Sequence, residues 1–102
     1  MEASGVSRLN AVIHERARLG IMSVLAARPA LTFGELKTLR DMTDGNLSVH
    51  LRTLEEAGYI KVEKSFVGKK PRSTVNLTRE GRTALKNHLN ALEAIVKAAR
   101  GK

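Results

Sequence analysis

The sequence predicts a mainly α chain with one small β-hairpin, an α+β fold, and three observations lead there. Apolar residues recur at three- and four-residue steps on both sides of a central break. After Gly58 the period shortens from about 3.6 to about 2, the alternation of a half-buried strand. Thr32, Thr43 and Thr78 each stand ahead of a helical stretch, where a side-chain oxygen can accept from an orphan backbone N–H. With 102 residues there is material for one domain and one core.

Taken in order, residues 1–7 are small and polar and read as a flexible leader. From 8 to 28, Leu9, Val12, Ile13, Leu19, Met22 and Leu25 make the stripe of a first helix, ended by Pro29. Gly20 inside it marks a bend or a close helix contact. Thr32-Phe33-Gly34-Glu35 has the form of a capping box and starts a second helix to about Arg40, with Phe33, Leu36 and Leu39 as its buried stripe. After a short link at 41–43, Thr43 or Asp44 caps a third helix that reaches Ala57, where Gly58 can take the left-handed conformation that ends helices. Leu47, Leu51 and Leu54 form its inner face. Ile60, Val62 and Phe66 then point one way, Lys61 and Glu63 the other. Residues 67–72 read as a basic turn and 73–77 as the returning strand. Thr78 caps a last helix to about Arg100, carrying Leu85, Leu89, Leu92, Ile95 and Val96 at near-heptad steps.

Composition narrows the function. The net charge is +8, from 18 Lys and Arg against 10 Asp and Glu, which attracts polyanions. There is no Cys, so disulfides, thiolate zinc sites and cysteine nucleophiles are excluded, and an intracellular address is the simplest expectation. Only Phe33, Tyr59 and Phe66 are aromatic, too few for the stacking platforms of single-strand binders. The apolar run at 19–27 is far shorter than the roughly 18 residues of a membrane span. His14, His50 and His88 are expected on three different helices, and neither an HExxH spacing nor a Gly-rich phosphate loop occurs. No enzyme, metal or cofactor is expected.

Helix, helix, helix, hairpin, helix is a helix-turn-helix followed by a β-wing. With the leucine stripe of the third helix inward, its outer face carries Gly45, Asn46, Val49, Arg52 and Thr53, with Thr43 and Ser48 at the margin. This small, polar face suits the major groove, where Asn reads adenine, Arg reads guanine and Val touches a thymine methyl. His50 lies on the flank, where packing is favoured over a DNA contact. The wing holds Lys61, Lys64, Lys69, Lys70 and Arg72 against Glu63 alone, a net +4 and half the charge of the chain. Such a tip follows phosphates or enters a narrow minor groove.

The stretch TDGNLSVHLRTLEEAGYI and the following KVEKSFVGKKPRSTVNLTREGRTAL, with its LTxxG helix start, resemble the recognition-helix and wing regions of the MarR and ArsR winged-helix transcription regulators. That resemblance implies a winged helix-turn-helix DNA-binding domain over 8–78 and a dimerisation helix over 79–102. Leu9, Val12, Ile13, Leu85, Leu89, Leu92, Ile95 and Val96 are the candidate dimer residues, since the last helix has more apolar positions than a lone surface helix requires. The expectation is a homodimeric, sequence-specific double-stranded DNA-binding repressor on a palindromic operator, cytoplasmic and nucleoid-associated in a prokaryote. A small-molecule effector, as MarR relatives often bind, would have to sit where the first and last helices meet, but no residue here argues for one. A weakly specific architectural DNA binder and a winged-helix protein-interaction module are the alternatives. The first would bind all duplexes alike, and the second would not need its wing cations.

Overall fold

A computed structural model describes residues 8–101, so the leader expected at 1–7 lies outside the described residues. The elements run α1 (Arg16–Ala27), β1 (Leu31–Thr32), α2 (Phe33–Arg40), α3 (Asp44–Glu56), β2 (Ile60–Val67), β3 (Lys70–Leu77) and α4 (Arg79–Ala99). The sheet is antiparallel in the order β1-β3-β2. Ile21, Met22 and Leu25 of α1, Leu36 of α2 and the Leu47, Leu51 and Leu54 stripe of α3 form the core with Ile60, Val75 and Leu85. This is the α+β, winged helix-turn-helix architecture read from the periodicity.

The helix starts are set locally. Thr32 Oγ1 accepts from the Glu35 amide at 3.1 Å while Glu35 Oε1 accepts from the Thr32 amide at 2.9 Å, closing the capping box. Thr43 Oγ1 accepts from the Asn46 amide at 3.1 Å. Thr78 Oγ1 accepts from the Gly81 amide at 2.9 Å and donates to the Gly58 carbonyl at 2.6 Å, which ties α4 to the α3–β2 link. Asp41, in the left-handed conformation at φ 51, turns the chain between α2 and α3. At Gly81 a Cβ would overlap the Tyr59 carbonyl, so only glycine lets α4 lie this close.

Several expectations are corrected. The first helix begins at Arg16 rather than residue 8, because Asn10 Oδ1 accepts from the Val12 and Ile13 amides at 2.9 and 3.1 Å and folds 10–13 into a turn. Ile13 is fully buried from that turn, which is why its spacing mimicked a helical stripe. The two-residue strand β1, unread in the sequence, pairs Leu31 with Val75 and Thr32 with Thr74. The basic turn shrinks to Gly68 and Lys69, with Gly68 at φ 65, since the hairpin ladder continues to Val67 and Lys70. Leu39 is exposed because α2 meets α1 through Leu36 and Arg40 instead. The Arg40 guanidinium covers Gly20, the close helix contact foreseen there. Phe66 is exposed as well: β1 pairs with β3 only as far as Thr74, and the hairpin projects beyond that pairing.

The division at residue 78 is not a structural break. Gly81, Leu85 and His88 of α4 are buried against the rest of the chain, and none of α4 beyond Ala91 is. No helix among the described residues is long and apolar enough to cross a membrane.

Candidate nucleic-acid interface

The leucine stripe seats α3 on the core and turns Gly45, Asn46, Ser48, Val49 and Arg52 outward, all of them exposed. Val49 is 61% exposed and so is available to a partner. The hydroxyls of Thr43 and Thr53 serve the helix itself: the first is its cap, and the second, half-buried, donates to the Val49 carbonyl at 3.2 Å. Asp44, an acid that would repel phosphate, is held by Lys37 Nζ at 2.8 Å and also favours the helix N-terminus.

His50 faces the underside of this unit. Its Nδ1 lies 3.2 Å from Arg18 Nη1 and 3.7 Å from Glu15 Oε1, and Arg18 Nε donates to the Val12 carbonyl. The Arg18 amide, donating to Glu15 Oε1 at 2.9 Å, is the main reason that carboxyl stays ionised below the usual glutamate range; His50 and Arg18 add to it while partial burial opposes. His50 is thus part of the support that ties α3 to α1.

In the wing, Lys64 lies opposite Ser73, Ser65 opposite Arg72, Phe66 opposite Pro71 and Val67 opposite Lys70. Lys64 and Ser73 line one groove with Ser48, Arg52 and Glu55 of α3 and with Val62. The structure therefore brings the first cation of the wing to the outer face of α3. Lys69, Lys70 and Arg72 are exposed farther out. Lys61 does not join Lys64 beside α3: it lies on the opposite face of β2, the face of Arg72 and Lys70, 3.6 Å from Glu63. Phe66, 73% exposed, shares the face of Lys64, and the alternation that points it inward carries no sign of where the supporting layer ends.

The three histidines are not on three helices. His14 precedes α1 and meets His88 of α4, with ring centroids 5.2 Å apart and Nδ1 to Nε2 at 3.3 Å. The Asn10 amide donates to His88 Nδ1 at 3.0 Å, so the neutral ring carries its proton on Nε2, facing His14. Burial, with a smaller contribution from His14, holds His88 below the ordinary imidazole range. Asn10 Nδ2 also donates to the Tyr59 hydroxyl at 2.8 Å. Beside this network an open cleft is lined by Arg8, Asn10, Tyr59, Arg79, Thr83 and His88. Among the described residues no group of three or more His, Cys, Asp and Glu is placed to hold a metal.

Of the apolar residues expected at a dimer surface, Ile13 and Leu85 are buried in the chain's own core and have no surface to offer. Leu89 and Val96 are each 46% exposed, and Leu92 and Ile95 lie half-buried between them. Leu9 and Val12 are also half-buried, in the turn segment before α1.

The winged helix DNA-binding domain family matches residues 17–96. A protein of Methanocaldococcus jannaschii without an assigned function is 32% identical over 78 residues, which cover 76% of this chain and 85% of that protein. The structure of a transcriptional regulator homologue from Pyrococcus horikoshii superimposes with a TM-score of 0.86 at 31% identity, covering 97% of this chain and 98% of that one. A MarR family transcriptional regulator from Streptomyces coelicolor, solved in complex with DNA, shares the fold with a TM-score of 0.67 at 23% identity, over 90% of this chain and 67% of its own. From its capped α3 and cationic wing to these relatives, the chain belongs to the winged helix DNA-binding domain family, with the fold of the MarR regulators.

Proposed function

We propose that this chain is a sequence-specific transcription regulator of double-stranded DNA, a homodimeric repressor that occupies a palindromic operator. One observation carries the reading: the exposed, nearly uncharged outer face of α3 opens onto the same groove as Lys64, at the base of a wing rich in cations. Charge there supplies sequence-independent grip on phosphates. Asn46, Val49 and Arg52, with Gly45 permitting close approach and Ser48 beside them, supply choice among bases. Lys69, Lys70 and Arg72 track the flanking backbone or minor groove. The DNA complex of the Streptomyces relative supports the partner assignment.

The second copy docks on α4. Leu89, Leu92, Ile95 and Val96 form an apolar flank that the chain itself leaves partly open, and the half-buried Leu9 and Val12 are assigned to the same interface. The dimerising part is accordingly the second half of α4, while its first half belongs to the DNA-reading unit. Repression would follow from operator occupancy in the prokaryotic cytoplasm.

Selection of bound sequences from a random duplex pool tests this reading. A recovered palindrome, bound at least about 10³-fold more tightly than random duplex at equal salt, is the expected result. Equal affinity for all duplexes at every salt concentration would overturn it in favour of an architectural role.

A further inference from the structure

Phe66 and Pro71 face each other across the hairpin, and Val67, 56% exposed, lies next to them on the opposite face. An apolar end this open is flanked by exposed cations: Lys64 shares the face of Phe66, Lys69 sits in the turn, and Lys70 and Arg72 lie with Val67 on the opposite face. Cations on both faces and at the turn of an apolar tip fit a partner that presents phosphates outside and an apolar surface within reach. A duplex does so: its stacked bases lie at the floor of a groove walled by phosphates.

We propose that Phe66 is a wedge that enters the minor groove beside α3, partly opens one base step and bends the DNA. The inference rests on the DNA-binding reading above and deepens it. Val62, Lys64 and Phe66 share one face of β2 by the two-residue period, and Lys64 already borders the α3 groove with Ser48 and Arg52. Phe66 is therefore one step farther out on the face that α3 shares. From Glu63 to Val67 the hairpin extends five residues past Val62, whose partner Val75 is its last fully buried residue. Phe66 is the fourth of these, so at about 3.3 Å per residue it stands roughly 13 Å beyond Val62. With α3 in the major groove, a tip that projects this far past the α3 groove would reach the adjoining minor groove. Pro71, with φ held by its ring, gives the phenyl group a stiff backing. Inserted apolar side chains kink duplexes, most readily at flexible pyrimidine–purine steps.

The test uses the full chain and the operator recovered by selection, with a donor and an acceptor dye at its two ends. Wild type should shorten the end-to-end distance by the equivalent of a bend of about 20° or more. Phe66→Ala should bind about tenfold more weakly and leave the operator straight, and Phe66→Leu should keep most of the bend. A tight but straight wild-type complex, or an equal bend with Phe66→Ala, overturns the wedge and leaves the regulator reading standing. Failure of wild type to bind any duplex overturns both. Phosphatidylserine vesicles provide the remaining arm: vesicle binding that Phe66→Ala abolishes, with DNA bending unchanged, reassigns the tip to a membrane and overturns the wedge.

Discussion

α3 and the wing lie on the same groove but are held in place by opposite means. Three fully or nearly fully buried leucines anchor α3, Thr43 caps it, and the Glu15, Arg18 and His50 network braces its flank. The wing past the Thr32–Thr74 pairing is held chiefly by its own ladder and its turn. The difference suits the two tasks proposed for them: a buried-side anchor for an element that reads bases, and a projecting ladder for one that grips phosphates. Base-edge readout needs side chains positioned to within a fraction of an ångström, whereas phosphate attraction is long-ranged and tolerates movement.

The contrast is broken most severely from below. Leu47→Ala should lower stability by about 2 to 5 kcal/mol, because a fully buried side chain leaves a cavity. Phe66→Ala should change it by less than about 0.5 kcal/mol. Urea denaturation of both variants measures the gap, and similar losses would show that the wing is packed after all. Gly81→Ala belongs with the first group, at about 1 to 3 kcal/mol, since the neighbour it strikes is backbone.

On DNA the two regions should separate by the kind of loss. Replacing Lys69, Lys70 and Arg72 together by Ala should weaken binding to matched and random duplexes alike. If each cation contacts one phosphate, it should also flatten the slope of log K against log salt by about 2.7, at about 0.9 per phosphate. Asn46→Ala or Arg52→Ala should cost about 1 to 3 kcal/mol on the preferred site with little change on random DNA. Equal weakening on both duplexes would move those two residues into the phosphate-contacting class.

The smallest effect comes from the ground between the N-terminal turn and α4. His88 is kept neutral in the fold, so the unfolded chain takes up the proton first as pH falls. Stability should accordingly be full above the ordinary imidazole value of 6.5 and decline as pH drops below it. Protonation at Nδ1 would set an N–H against the Asn10 amide that now donates there. The Glu15 carboxylate, depressed from 4.5, acts in a separate window: its contribution is present above that value and is lost as pH falls further. Thermal melts between pH 8 and 5 should show the first decline in wild type and a flatter profile in His88→Leu. An unchanged profile in that variant would remove His88 as its source.

What could be read without coordinates was whatever depends on neighbours in sequence. The caps at Thr32, Thr43 and Thr78, the stop at Gly58 and the leucine stripe of α3 all arise within a few residues, so the order of the helices and the hairpin and the solvent-facing side of α3 were legible. Tertiary structure decided the rest. The segment at 8–15 carries helix-like spacing, but Asn10 binds its own chain neighbours, His88 and Tyr59, and that exchange depends on residues 49 and 78 positions away. β1 is too short to have a period and exists only because β3 offers a partner edge. Alternation continued through Phe66 as though a core lay beneath it, while the layer ends before that point. Periodicity tells which side chains share a face; only the packing of the other elements tells whether that face is covered.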